Sequence, residues 1–155
     1  MTDFKEAPRV VTVAREIQAP AERIFLLIAD PAQQPRWDGN DNLQDAPDGQ
    51  RVRAVGDVFT MRLRTGGIRQ NHVADFIEGR RIAWYPAEVD TAPPGHLWAW
   101  DLEPLSPSRT RVTHTYDWSQ LVDENRMARA RATTSERLQA SLDRLAALAE
   151  AAEAP

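Results

Sequence analysis

The chain contains no cysteine, which excludes disulfides, thiol nucleophiles and thiolate metal sites. It also lacks a basic surplus: 19 basic residues, all arginine except Lys5, stand against 23 acidic ones, for a formal net charge of −4. The arginines form no block or stripe, so the electrostatic footprint of a nucleic-acid binder is missing. No window approaches the 18 or more apolar residues of a membrane span. The first residues carry Asp3 and Glu6 and no hydrophobic run, unlike a secretory signal. HExxH, GxSxG, GxxxxGK[ST] and GxGxxG motifs are all absent. The three histidines, His72, His96 and His114, are widely spaced with no HxH pair, and neither a metal nor a cofactor is expected on them. A cytoplasmic protein is the expectation.

What is present suits a globular domain. The 155 residues are 42% hydrophobic and 27% charged, enough chain for a single core. Residues 9–17, RVVTVAREI, read as a strand ended by Ala19-Pro20. Residues 21–29, AERIFLLIA, read as a short helix with Ile24, Phe25 and Ile28 on its apolar face. Asp30-Pro31 stops it and opens a second short helix over 31–36. Residues 38–50 are acidic and turn-rich and read as a loop, followed by a weak strand over 51–55. Clear alternation marks 57–65, and Gly66-Gly67 turns it back into 68–78. Further strands are expected over 81–86, 96–103 and 109–118. From 123 to 152 there is neither glycine nor proline, and Met127, Ala130, Thr134, Leu138, Leu142, Leu145 and Ala149 recur at helical spacing. One helix of roughly seven turns is predicted there. The absence of any strand–helix–strand rhythm makes this an α+β chain with an antiparallel sheet, whose apolar face the C-terminal helix must cover. A single domain is expected over 9–152, with 1–8 and 153–155 frayed.

The hairpin over 96–118 carries the most information. Alternation places His96, Trp98, Trp100 and Leu102 on one face of its first strand, and Val112, His114, Tyr116 and Trp118 on one face of its second. Ala99, Asp101 and Glu103 then look to solvent with Arg111, Thr113, Thr115 and Asp117, so the carboxylates read as ordinary surface charge. The inward surface is made of large rings with polar tips. In a dry core each N–H and O–H needs a protein partner; in a cavity wall, water or a ligand can be the partner. The residues suit either a filled core or a cavity. Trp84 is assigned inward with Ile82. Arg69, Asn71 and Asp75 fall on the face opposite His72 and look outward if His72 looks in, an assignment that a one-residue bulge would reverse for part of the strand.

The opening VTVAREIQAPAERIFLLIADPAQQPRWDG, residues 11–39, and the later HVADFIEGRRIAWYP, residues 72–86, resemble the START-like (SRPBCC) superfamily of polyketide cyclases/dehydrases, lipid-transport domains and Bet v 1-type proteins. The resemblance spans about residues 9–150. It implies a helix-grip fold: a curved antiparallel sheet of about seven strands wrapped around a long C-terminal helix, two short helices after the first strand, and a deep cavity between sheet and helix. It also implies a small hydrophobic or aromatic ligand, lipid- or polyketide-like. On that reading the binding residues are Trp37 near the entrance, Trp84, Trp98, Trp100, His114, Tyr116 and Trp118 from the sheet, and Met127, Leu138 and Leu142 from the helix. The alternative is a cyclase, aromatase or dehydratase in the same cavity, with His114 or His72 as acid–base group and Tyr116 steadying an enolate. A third alternative is a partner-binding protein with a filled core. Monomer and homodimer suit the sequence equally.

Overall fold

The computed structural model describes residues 9–151; the frayed ends expected at 1–8 and 153–155 lie outside them. Seven strands form one antiparallel sheet: β1 (Val10–Ile17), β2 (Leu43–Asp45), β3 (Val58–Leu63), β4 (Ile68–Ile77), β5 (Arg81–Glu88), β6 (Leu97–Ser106) and β7 (Arg109–Asp117). Their spatial order is β1-β7-β6-β5-β4-β3-β2. Helix α1 (Ala21–Ala29) and a 3-10 helix (Pro31–Arg36) follow β1. Helices α2 (Glu124–Ala132) and α3 (Ser135–Ala151) close the chain. This is the helix-grip arrangement, and α3 packs on β1 and α1.

Local chemistry explains these elements. Pro20 supplies the extended entry to α1, whose first turn holds Glu22 against the helix dipole. The Asp30 carboxylate accepts a hydrogen bond from the Ala32 amide, 3.2 Å away, and Pro31 starts the 3-10 turn without a donor to waste. The solid half of the core joins Ile24, Phe25 and Ile28 of α1 to Leu142, Leu145 and Ala149 of α3 and to Leu102 and Val112 of the sheet. Each of those large side chains contributes about 1.5–3 kcal/mol by leaving water.

Four expectations need correction. The predicted C-terminal helix is two helices. Thr133 caps α2, its hydroxyl donating to the Arg129 carbonyl at 2.9 Å, and the Thr134 carbonyl takes up the first amides of α3. The apolar stripe runs through this break, so its periodicity gave no sign of it. The weak strand over 51–55 does not form; β2 occupies part of the predicted loop instead, on the edge of the sheet. The strand expected over 96–103 is longer, because β6 runs on to Ser106 beside a register shift. Finally, Ala99 is only 2% exposed: its small side chain lies between Ala83 and Thr115 in the ladder.

Candidate functional site

At the other end of the sheet the concave face does not close on the helices. A cavity of about 540 Å³ lies there. Its floor is β3 to β7, its front the 3-10 helix with residues 38–43, and its roof the α2–α3 segment. The wall of rings follows from strand register. Trp100 stands opposite His114, and Trp98 opposite Tyr116. The His114 ring therefore stacks on Trp100, centroids 3.6 Å apart at 13°, with Trp98 stacked 5.6 Å away at 16°. Tyr116 lies 4.4 Å from Trp98, and His96 follows at 6.2 Å from Tyr116. Trp37 meets Trp100 edge-on at 5.2 Å. Trp84 adds a second edge-on pair with Phe59.

Three polar groups in this wall are committed. The Trp37 indole N–H donates to the Leu27 carbonyl at 2.8 Å. His114 Nδ1 lies 3.0 Å from the Ala99 carbonyl. A carbonyl can only accept, so Nδ1 carries the hydrogen and the neutral ring keeps a lone pair on Nε2. Complete burial, opposed only in part by that hydrogen bond, pushes the His114 pKa down to about 3. Burial raises the Tyr116 phenol above its ordinary value, and a hydrogen bond to the Thr133 side chain partly offsets this. The Trp100 Nε1–H is buried with no partner among the described residues.

The front wall is pinned to α3. The Gly39 amide donates to Ser141 Oγ at 2.8 Å, and Arg144 donates to the Asp38 carbonyl and the Asp41 carboxylate. That partner holds the Asp41 carboxyl below the usual carboxylate range. The Asp38 carboxylate accepts from the Asn40 and Asn42 amides and fixes the loop from within. Gly39 must be glycine for lack of space: a Cβ there would stand 2.5 Å from the Ser141 nitrogen.

Of the residues expected at a ligand site, Trp37, Trp84, Trp98, Trp100, His114 and Tyr116 line the cavity. Trp37, expected near the entrance, is 4% exposed, with its indole N–H bonded to the Leu27 carbonyl. Trp118, Met127 and Leu138 are not in the lining but pack behind it in a second apolar cluster with Leu121 and Ala130. Arg9 lies over the Trp118 ring at 4.5 Å. Leu142 belongs to the solid half of the core. His72 faces away from the cavity, while Arg69 and Asn71 line it. The register shift between Val73 and Asp75 brings Phe76 back to the inner face and lets the two halves of β4 disagree in phase. In an unbroken strand His72 would share a face with Phe76; with the shift it takes the outer one. Arg69, Asn71, Arg126, Arg129 and Arg137 are cavity residues that the pattern did not single out; Arg69 and Asn71 enter because they stand opposite Met61 and Phe59 in the ladder.

A family model described as polyketide cyclase / dehydrase and lipid transport matches residues 8–150. An uncharacterized protein of Mycobacterium tuberculosis, Rv0088, is 32% identical over 120 residues, covering 76% of this chain and 51% of that protein. The chain thus spans about half the length of the curated relatives it matches. The structure of protein NE0264 from Nitrosomonas europaea superposes with a TM-score of 0.69 at 15% identity, over 94% of this chain and 97% of that one. A START superfamily protein from Mycobacterium smegmatis superposes with a TM-score of 0.63 at 18% identity, over 91% and 97%. At these identities the structures show the fold alone.

Proposed function

This chain belongs to the polyketide cyclase/dehydrase and lipid-transport family, START-like in fold, and on that premise we propose that it binds a small, largely apolar organic molecule in the ring-walled cavity, without turning it over. The observation that carries this is the 540 Å³ space itself, lined by four tryptophans and a tyrosine, within the size range of small-molecule sites. A planar ligand slipped along the Trp98–His114–Trp100 stack would lose apolar surface to water at about 25 cal/mol per Å². Trp37, Trp84 and Tyr116 complete that wall, and Trp118, Met127 and Leu138 support it from behind.

Binding without catalysis is the better reading because the acid–base candidates are poorly matched to the task. A general base works best with a pKa near the working pH. His114, near 3, is far below it. His72 is on the other face of the sheet, and the Tyr116 phenol is held protonated by burial. The cytoplasm is the compartment proposed; a chain with no cysteine neither needs nor excludes an oxidising one.

The test is titration with N-phenyl-1-naphthylamine, an uncharged two-ring fluorophore, following probe emission and quenching of the protein's tryptophans. One saturable site is expected, lost in Ala130→Phe and Ala132→Trp, which put bulk into the lining. Circular dichroism checks that both variants fold. No binding, or equal binding by folded blocked variants, overturns the proposal.

A further inference from the structure

Besides its rings the cavity lining carries four arginines, Arg69, Arg126, Arg129 and Arg137. Arg126 and Arg129 project from α2 one turn apart, on one face of the helix, and Arg69 projects from β4; all three line the same cavity. In a chain of net charge −4 this is a local reversal of sign. Arg126 is already engaged: its guanidinium donates to Glu88 at 2.9 Å and to Asp123 at 3.1 Å, which fastens α2 over the sheet. Arg69 and Arg129 have no ion-pair partner among the described residues. Arg69 is partly buried, and its burial and the neighbouring Arg126 and Arg129 lower its pKa, while Glu88 opposes this. The same three arginines, after burial, push the His96 pKa down to about 4. The histidine therefore sits in their common positive field and adds no charge of its own at neutral pH. The one acid in the cavity lining is Asp38, whose oxygens already accept the amides of its own loop.

Like charges brought together around a partly desolvated space repel, and a bound anion is what removes that repulsion. Forked guanidinium donors suit an oxyanion in particular. We propose that the ligand of this cavity is an amphipathic organic oxyanion, a carboxylate, sulfonate or phosphate on an apolar or aromatic body, whose charged end is held by Arg69 and Arg129 while its body lies along the rings. Arg126, tied to Glu88 and Asp123, positions α2 for this contact. The inference rests on the cavity being a ligand site.

The experiment compares two probes with the same ring system: 8-anilino-1-naphthalenesulfonate and its uncharged parent, N-phenyl-1-naphthylamine. The sulfonate should bind at least about tenfold more tightly at low salt, as a charged hydrogen bond warrants, and the advantage should shrink as ionic strength rises. Arg69→Gln and Arg129→Gln should each cost the sulfonate about tenfold and leave the parent within twofold. Arg131→Gln, on α2 but outside the lining, should change neither. If the parent binds and is excluded by the blocked variants, yet the sulfonate has no advantage or the arginine variants weaken both probes alike, the anion proposal fails and the cavity reading stands. If neither probe binds, both fail. Inorganic phosphate binding as tightly as the sulfonate would show a site for a free ion and overturn the amphipathic ligand.

Discussion

Lowering the pH from 7.5 to 5.0 should destabilise this protein through His114 by about 2 kcal/mol. In the unfolded chain a histidine has a pKa of about 6.5 and is about 97% protonated at pH 5. In the folded chain His114 is held neutral, its pKa near 3, by burial between two indoles. The unfolded state therefore binds more protons below pH 6.5. The stability contributed by the neutral ring is complete above pH 6.5 and is lost progressively as pH falls from there toward 3. At pH 5 the loss depends only on the unfolded value, since the folded pKa is well below 5. His96, near 4, adds a loss of similar size. The variant His114→Asn isolates the first: its side-chain amide keeps a donor near the Ala99 carbonyl and cannot take a proton. Urea unfolding followed by tryptophan fluorescence, at both pH values, should show wild type losing about 2 kcal/mol more than His114→Asn. Equal losses in the two proteins would mean that His114 accepts a proton in the folded state, and the argument against its acting as a base would fall with it.

Other outcomes follow from the same contacts. Gly39→Ala forces a methyl against the Ser141 backbone and the Ala140 side chain; unfolding should show a loss of about 1–3 kcal/mol, with faster amide exchange in residues 38–42. Trp100→Leu, at a fully buried ring, should cost about 3 kcal/mol or more, and calorimetry would detect it; a loss below about 1 kcal/mol would deny the ring its place in the packed wall. Tyr116→Phe deletes the hydroxyl shared with Thr133 and should cost about 1 kcal/mol, with exchange rising at the end of α2.

Much of the ring wall was legible because it rests on a local rule. Side chains two residues apart on a strand share a face, so Trp98 and Trp100, and His114 and Tyr116, could be grouped before any pairing was known. The rule fails where an extra residue enters. The irregularity between Val73 and Asp75 reversed the phase of the first half of β4, and with it the reading of His72 against Arg69 and Asn71. Helical periodicity has a similar blind spot: two non-helical residues, Thr133 and Thr134, left the stripe from Met127 to Ala149 apparently unbroken.

The sequence by itself determined the α+β class, the hairpins, the helical C-terminus and the aromatic character of one sheet face, because these follow from spacing and composition within short windows. Only the tertiary structure decided that the rings enclose space at one end and a solid core at the other. It also decided that Arg69 would meet Arg126 and Arg129, since residues more than fifty positions apart are joined by the curvature of the sheet and by a break in a helix, and neither leaves a local mark in the chain.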